Sequence, residues 1–338
     1  MKKWLWGLIS LVLALGVLGY AFRERLTLRL MRNVVARNMA TNALDALPDG
    51  LHIALCGAGS PLPDPKRSGP CVAVIAGDQL YIVDSGTGSS RILSRMQIPQ
   101  GEIDGVLLTH FHSDHIDGLG ELLMQRWANG GNTAPTPVYG PPGVEQVVDG
   151  FNHAYAMDAV YRVAHHGNEV MPRAGAGARA HAFTPPEEGS AVTLVDQAGL
   201  RIVAFLVDHR PVLPAVGYRF DYAGRSVLVS GDTAKSANLQ KFADGVDLLV
   251  HEALAPQLVE VLTEAADVAG RPRLAKITRD ILDYHTTPVE VAEIARDTGA
   301  GHLLFYHVVP PLLLAPMEDI FLDGVEETYA GPVTLGRD

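Results

Sequence analysis

Cysteine is nearly absent from this chain, with only Cys56 and Cys71 among 338 residues, which excludes a small disulfide-framework protein. Positive charge is also in short supply. Lys and Arg number 27 against 38 Asp and Glu, so the net charge is −11. That leaves no general positive field to attract a polyanion and argues against nucleic-acid binding by phosphate neutralisation, although a local basic patch is left open. No internal repeat at a fixed period and no low-complexity tract interrupts the sequence. With 47% hydrophobic and 19% charged residues the composition is that of a globular protein, long enough for one large domain or two modest ones.

Long apolar runs are missing too, except at the N-terminus. Residues 4–22 carry no charge and would span about 28 Å as a helix, close to the thickness of a bilayer. The sequence around Gly19-Tyr20-Ala21 is a poor cleavage site, and Trp4, Trp6, Tyr20 and Phe22 stand where interfacial aromatics would. Residues 1–22 are therefore expected to be a transmembrane anchor or uncleaved signal. Orientation is contested. Arg23, Arg25, Arg29, Arg32 and Arg37 follow the span, and the positive-inside rule pulls them to the cytoplasm. Against this stand the short, signal-like N-terminal tail and the cysteine pair, which flanks a Gly/Pro-rich loop. A bridge there would close a loop of about 15 residues, worth about 3 kcal/mol in an oxidising compartment. Two buried free thiols fit the sequence equally well. The expectation is a membrane-anchored protein with its catalytic domain in the periplasm.

Residues 23–50 read as a helical stem, with Leu28, Met31, Val35 and Met39 at three- and four-residue spacing and Pro48-Asp49-Gly50 as its end. Its arginines would lie on lipid headgroups or the helix would pack on the following domain. From residue 51 the pattern changes to short strands at 51–56, 71–76, 80–84 and 106–108, then 192–195, 202–207, 215–220, 226–229 and 248–250. Helices are expected at 116–127, 143–155, 257–269, 278–284 and 288–297, and residues 171–188, rich in Gly, Ala and Pro, read as a loop. Two groups of strands mixed with helices indicate a layered α/β architecture with sheet on sheet inside, over residues 51–338.

The stretch Thr109-His110-Phe111-His112-Ser113-Asp114-His115 follows a strand and precedes a helix. Imidazole and carboxylate suit zinc or a similar divalent ion, and a loop leaving a strand can turn His110 and His112 toward one metal and Asp114 and His115 toward another. This pattern resembles the metallo-β-lactamase superfamily, whose signature is His-x-His-x-Asp-His after a strand. The resemblance continues through Leu55-Cys56-Gly57-Ala58-Gly59-Ser60, Val138-Tyr139-Gly140-Pro141-Pro142-Gly143, Gly217-Tyr218-Arg219, Ser230-Gly231-Asp232-Thr233, His251-Glu252-Ala253 and His285-Thr286-Thr287. That series is similar to the branch containing ribonuclease Z and the zinc-dependent arylsulfatases. It implies a four-layer αββα sandwich and two divalent metal ions, zinc by preference.

The resemblance also implies the remaining ligands. His209 would complete the first site with His110 and His112, Asp232 would bridge both metals, and His307 would complete the second site with Asp114 and His115. His285 would stand beside the metals without binding them, with Glu252 fixing its tautomer. Asp84 looks like the family's buried aspartate that supports the site. Of the other histidines, His165 and His166 read as rim residues, and His52, His153, His181, His251 and His302 as structural or exposed.

Two metals about 3.5–4 Å apart can share a hydroxide and polarise an ester oxygen, so hydrolysis is the expected chemistry. Asp114 would orient that hydroxide, and His285 would stabilise charge or protonate the leaving oxygen. Short-form ribonuclease Z enzymes insert a tRNA-gripping arm between the Gly-Tyr-Arg strand and the bridging aspartate. Here only residues 220–231 separate Arg219 from Asp232. His307 is followed by Val308-Val309-Pro310-Pro311-Leu312-Leu313-Leu314, an apolar wall where the family has a basic residue. The expectation is accordingly a hydrolase of small sulfate or phosphate esters, of arylsulfatase or phosphodiesterase type, with a small-molecule substrate rather than nucleic acid as its partner. A ribonuclease Z-like tRNA 3′-processing endonuclease is the second reading, and a non-catalytic metal-binding scaffold the third. Relatives often dimerise, which leaves room for a homodimer.

Overall fold

The computed structural model describes residues 2–338, so Met1, the first residue of the expected anchor, lies outside the described residues. The apolar run and its basic sequel form one helix, α1 (Lys2–Met39), with no break at Phe22 where anchor and stem were expected to part. No proline or capping signal interrupts this stretch, and Leu, Arg and Ala propagate a helix as readily on one side of Phe22 as on the other. By length and composition α1 is long and apolar enough to cross a membrane. Residues up to Ala46 form one compact unit and Leu47–Asp338 a second.

The second unit holds two sheets. The first has six strands in spatial order of sequence: β1 (Leu51–Gly57), β2 (Cys71–Ala76), β3 (Gln79–Val83), β4 (Gly105–Leu107), β5 (Thr136–Gly140) and β6 (Ala178–Ala182). The second has seven, running from β13 (Val333–Leu335) through β12 (Leu303–Val309), β11 (Leu248–Leu254), β10 (Arg225–Val229), β9 (Ala215–Tyr222) and β8 (Leu200–Val207) to β7 (Ala191–Gln197). Antiparallel hairpins start each sheet, and parallel pairs follow wherever a helix makes the crossover.

Period-2 alternation places the sheets between helical layers. Along β12, Leu304 and Tyr306 point into a cluster with Val72, Val74 and Val83 of the first sheet. Leu303, Phe305 and Val308 point the other way, onto Leu239 of α6 (Ala237–Ala243), Val291 and Ile294 of α9 (Pro288–Asp297), and Phe321. Both faces of the second sheet are thus buried, which is why its central strands read as continuous apolar runs. Helices α2 (Ser89–Arg95), α4 (Leu119–Gly130) and α5 (Val144–His166) belong to the first sheet's half of the sequence. The architecture is the expected α/β sandwich of two sheets.

Some boundaries differ. The expected loop at 171–188 contains β6, whose Ala-rich sequence gives no strand signal but whose backbone pairs in parallel with β5 from Thr136↔Ala178 to Gly140↔Ala182. The helix expected at 116–127 is two, α3 (Ser113–Ile116) and α4, separated at Asp117-Gly118. Cys56 and Cys71 are bonded to each other and fully buried. β9 and β10 are joined by Ala223-Gly224, both in the left-handed region as a two-residue hairpin requires, so no arm projects there. The apolar segment after His307 is not a continuous wall open to substrate, because Val308, still within β12, and Leu312 pack into the core and only Leu313 and Leu314 are exposed.

Candidate metal centre

The ends of four strands converge on one buried centre. β4 runs out at Leu107, and the chain delivers His110, His112, Asp114 and His115 before and within the single turn of α3. β8 delivers His209 two residues beyond its end, β10 delivers Asp232, and His307 stands within β12. His307 adopts a left-handed φ of 43°, and the β11–β12 register slips between Glu252 and Ala253, opposite it. That slip turns its imidazole off the strand's alternation.

Asp232 is the hub. Its Oδ2 lies 3.8 Å from His110 Nε2, 3.3 Å from His115 Nε2, 3.9 Å from His209 Nε2 and 3.4 Å from His307 Nε2. His110 Nε2 is 3.0 Å from His112 Nδ1, which is 3.4 Å from His209 Nε2. On the other side, Asp114 Oδ2 is 3.3 Å from His307 Nε2 and 3.6 Å from His115 Nε2. The donor atoms gather as two main sets, His110–His112–His209–Asp232 and Asp114–His115–His307, and His285 joins Asp232 and His307 in a third that overlaps both, each with its ligating atoms within 4.8 Å of one another. The structure thus brings together all seven residues suggested as ligands.

The residues fit divalent ions. Apart from His112 these side chains are buried, and inside that shell Asp232 Oδ1 and His115 Nε2 have no hydrogen-bond partner among the described residues. Imidazole nitrogens facing one another at 3.0–3.4 Å are unfavourable as bare lone pairs and are reconciled by a cation between them. Burial, with neighbouring imidazoles adding to it at His110, holds His110 well below its ordinary pKa and also lowers His209, keeping both rings neutral and able to ligate. Burial pushes Asp232 up, but the imidazoles of His307 and His115 outweigh it and hold the carboxylate ionised.

A supporting layer fixes the rings. His115 Nδ1 lies 2.8 Å from Asp84 Oδ2, the same oxygen accepts from Thr109 Oγ1 at 2.8 Å, and that hydroxyl meets His110 Nδ1 at 3.1 Å. His209 Nδ1 donates to the Tyr284 carbonyl at 3.0 Å. Beside the two sets, His285 Nδ1 is 3.1 Å from Glu252 Oε1, which also accepts from the backbone N–H of Thr233 and Thr286. Burial lowers the His285 pKa, yet the Glu252 carboxylate more than compensates and the ring is raised to about 9. His165 and His166 end α5 exposed and outside both sets, and His251 is buried against the Glu252 carbonyl. The Tyr284 carbonyl and the Thr109 hydroxyl were not singled out from the sequence, since a backbone acceptor and a common hydroxyl leave no motif there.

Comparison with known proteins adds the family. Residues 81–308 match the beta-lactamase superfamily domain. The chain is 35% identical over 290 residues to "Ribonuclease Z" of Mycobacterium avium (strain 104), covering 85% of this chain and 96% of that one. It is 36% identical over 294 residues to "Ribonuclease Z" of Mycobacterium bovis (strain BCG / Pasteur 1173P2), with the same coverage. Among solved structures, the metallo-beta-lactamase fold protein YhfI from Bacillus subtilis superposes with a TM-score of 0.61 at 20% identity, over 86% of this chain and 98% of that one. The short form of human tRNase Z does so with 0.59 at 22%, over 85% and 96%.

These relatives correct two expectations. Curated proteins matching nearly their whole length are named ribonuclease Z, which overturns the arylsulfatase-type reading and the expectation of a small-molecule substrate in place of nucleic acid, and favours the second reading. The physical reason is that net charge sums over a whole chain, whereas RNA meets only one face. A missing arm removes one gripping element and leaves the metal centre unchanged. The protein is a metal-dependent hydrolase of ester bonds, and hydrolases of this fold use divalent metals.

Proposed function

Because the chain belongs to the metallo-β-lactamase superfamily and, within it, to the family of its ribonuclease Z relatives, we propose that it is an endonuclease that processes the 3′ side of tRNA precursors. The observation that carries this reading is the 35% identity over 290 residues, which takes in 96% of that relative's length and so far more than the metal motif alone. In this reading the two main sets of side chains would hold two divalent ions, zinc by preference, with His110, His112 and His209 holding one, Asp114, His115 and His307 the other, and Asp232 placed to serve both. When bound, such a pair polarises the phosphoryl oxygens and supplies hydroxide at neutral pH.

The chain's own residues do the rest. Asp114 orients the attacking hydroxide. His285, tied through Nδ1 to Glu252, presents Nε2 toward the centre and protonates the leaving oxygen. A cleft of about 680 Å³ is lined by Asp114 together with Ser60, Leu62, Arg67 and Thr87, and so reaches the edge of the second set. α1 tethers the enzyme to a membrane, and its five arginines after the apolar run favour the cytoplasmic face, where tRNA precursors are. This departs from the periplasmic expectation. The Cys56–Cys71 bridge is compatible with it because both sulfurs are buried and thiol exchange needs access.

The test is an assay of the zinc-loaded full chain on a precursor tRNA with a 3′ trailer, beside an aryl sulfate in the same buffer. Release of the trailer with a discrete tRNA product is expected. An intact precursor at enzyme excess overturns the reading.

A further inference from the structure

A carboxylate remote in sequence from every candidate ligand sits where the backbones carrying the second set meet. Asp338 Oδ1 accepts from the Ala58 N–H at 2.9 Å, and its Oδ2 accepts from the Ser68 N–H at 2.5 Å. These two groups belong to opposite ends of the loop joining β1 to β2, and the Gly59 N–H donates to the Ser68 carbonyl between them. One carboxylate thus satisfies two neighbouring donors, one of them on the fully buried Ala58.

Both ends lead directly to the Asp114–His115–His307 set. From Ala58, the carbonyl accepts the N–H of Val308 at 2.9 Å, fixing the residue after the left-handed His307. From Ser68, the next residue donates its N–H to Thr87 O at 3.0 Å, and Pro70 O accepts from Gly86 at 2.9 Å. The Gly69 and Gly86 backbones lie directly on Asp114, since a Cβ built on either would stand 3.1 Å and 2.4 Å from its carbonyl oxygen. Ser85 N–H holds the His115 carbonyl at 2.8 Å. The disulfide closes the same loop at its base, and Arg67 Nε donates to Gly336 O at 2.9 Å, next to the segment bearing Asp338.

We propose that Asp338 is a positioning residue for the second metal: its carboxylate clamps the β1–β2 loop and thereby sets the spacing of Asp114, His115 and His307. Among the described residues the His110–His112–His209 side has no tie to this carboxylate. Its rings are held by Thr109 and the Tyr284 carbonyl instead. This rests on the reading of the two side-chain sets as metal sites.

The experiment measures metal affinity by stepwise chelator competition with elemental analysis on the full chain. His209→Ala and His307→Ala serve to mark which ion belongs to which set. In Asp338→Ala the ion lost in His307→Ala should bind roughly 10–100-fold more weakly, the range seen when outer supports of a metal site are removed. The ion lost in His209→Ala should bind as in the wild type. Asp338→Asn keeps one acceptor and should fall between. Far-ultraviolet circular dichroism and thermal unfolding of the metal-free proteins show whether each variant folds. Equal affinities for both ions in Asp338→Ala and wild type would overturn the proposal, and so would a parallel loss of both ions, which marks a general structural role. Wild type without any bound ion would instead remove the metal reading itself, and the proposal with it.

Discussion

Asp84 and His115 form a fully buried pair in which the carboxylate, able only to accept, receives the proton of Nδ1 at 2.8 Å and so turns the Nε2 lone pair toward Asp232. The same carboxylate takes the N–H and the hydroxyl of Thr109 at 2.8 Å each, which couples the His115 ring to the strand that launches His110. Asp84 does this from a left-handed φ of 57°, a conformation that Asp and Asn tolerate better than other residues with a side chain.

Asp84→Asn therefore keeps the backbone and breaks the tautomer. The amide oxygen can still accept from Thr109, but the amide N–H₂ then faces His115 Nδ1 and forces the ring proton to Nε2, where the metal would be. Loss of about 10–100-fold in affinity for the ion held by His115 is expected, measured against a chromophoric chelator. Unchanged affinity would mean that His115 is not a ligand.

Removing Asp232 should do more. Among the described residues its Oδ2 is the one anionic atom within 4 Å of imidazoles from both sets, so in Asp232→Ala the rings repel one another around a void. Elemental analysis of the purified variant should find neither ion at stoichiometry, whereas Asp232→Asn should retain part of the metal through its carbonyl oxygen. Two tightly bound ions in Asp232→Ala would exclude the bridging role.

What the sequence made legible follows the range of the interactions. The His110-to-His115 motif is local, because strand, loop and ligands are contiguous, and the strong β-branched strands at 71–76 and 226–229 identify themselves by apolar runs. β6 is held by pairing with β5 and by the Asn152 side chain of α5, which bonds both the N–H and the carbonyl of Ala178, and its Ala-Arg-Ala-His-Ala sequence has no propensity to announce it. The extension of α5 to His166 was likewise silent, since its outer face is apolar in places and exposes Met157, Val160 and Tyr161 without a clear stripe. Substrate class was misread for a related reason. The absent arm and the acidic balance describe surfaces, while the relatedness to ribonuclease Z is spread over 290 residues.

The His285–Glu252 pair makes a pH dependence that can be signed in advance. Burial lowers the His285 pKa, but the Glu252 carboxylate, 3.1 Å from Nδ1, overrides it and raises the ring to about 9. A ring raised in this way stays protonated at neutral pH and loses its proton as pH climbs through its pKa. A reaction needing that proton on the leaving oxygen should therefore hold through neutral pH and decline on the alkaline side. Glu252→Gln leaves an amide oxygen for the Thr233 and Thr286 N–H groups and removes only the charge. The alkaline limb of kcat should then move to lower pH by on the order of one unit or more. His285→Ala should abolish the limb and lower kcat by roughly 10²–10⁴-fold with both metals retained, the range for a general acid. A Glu252→Gln profile superimposable on that of the wild type would show that another group supplies the proton.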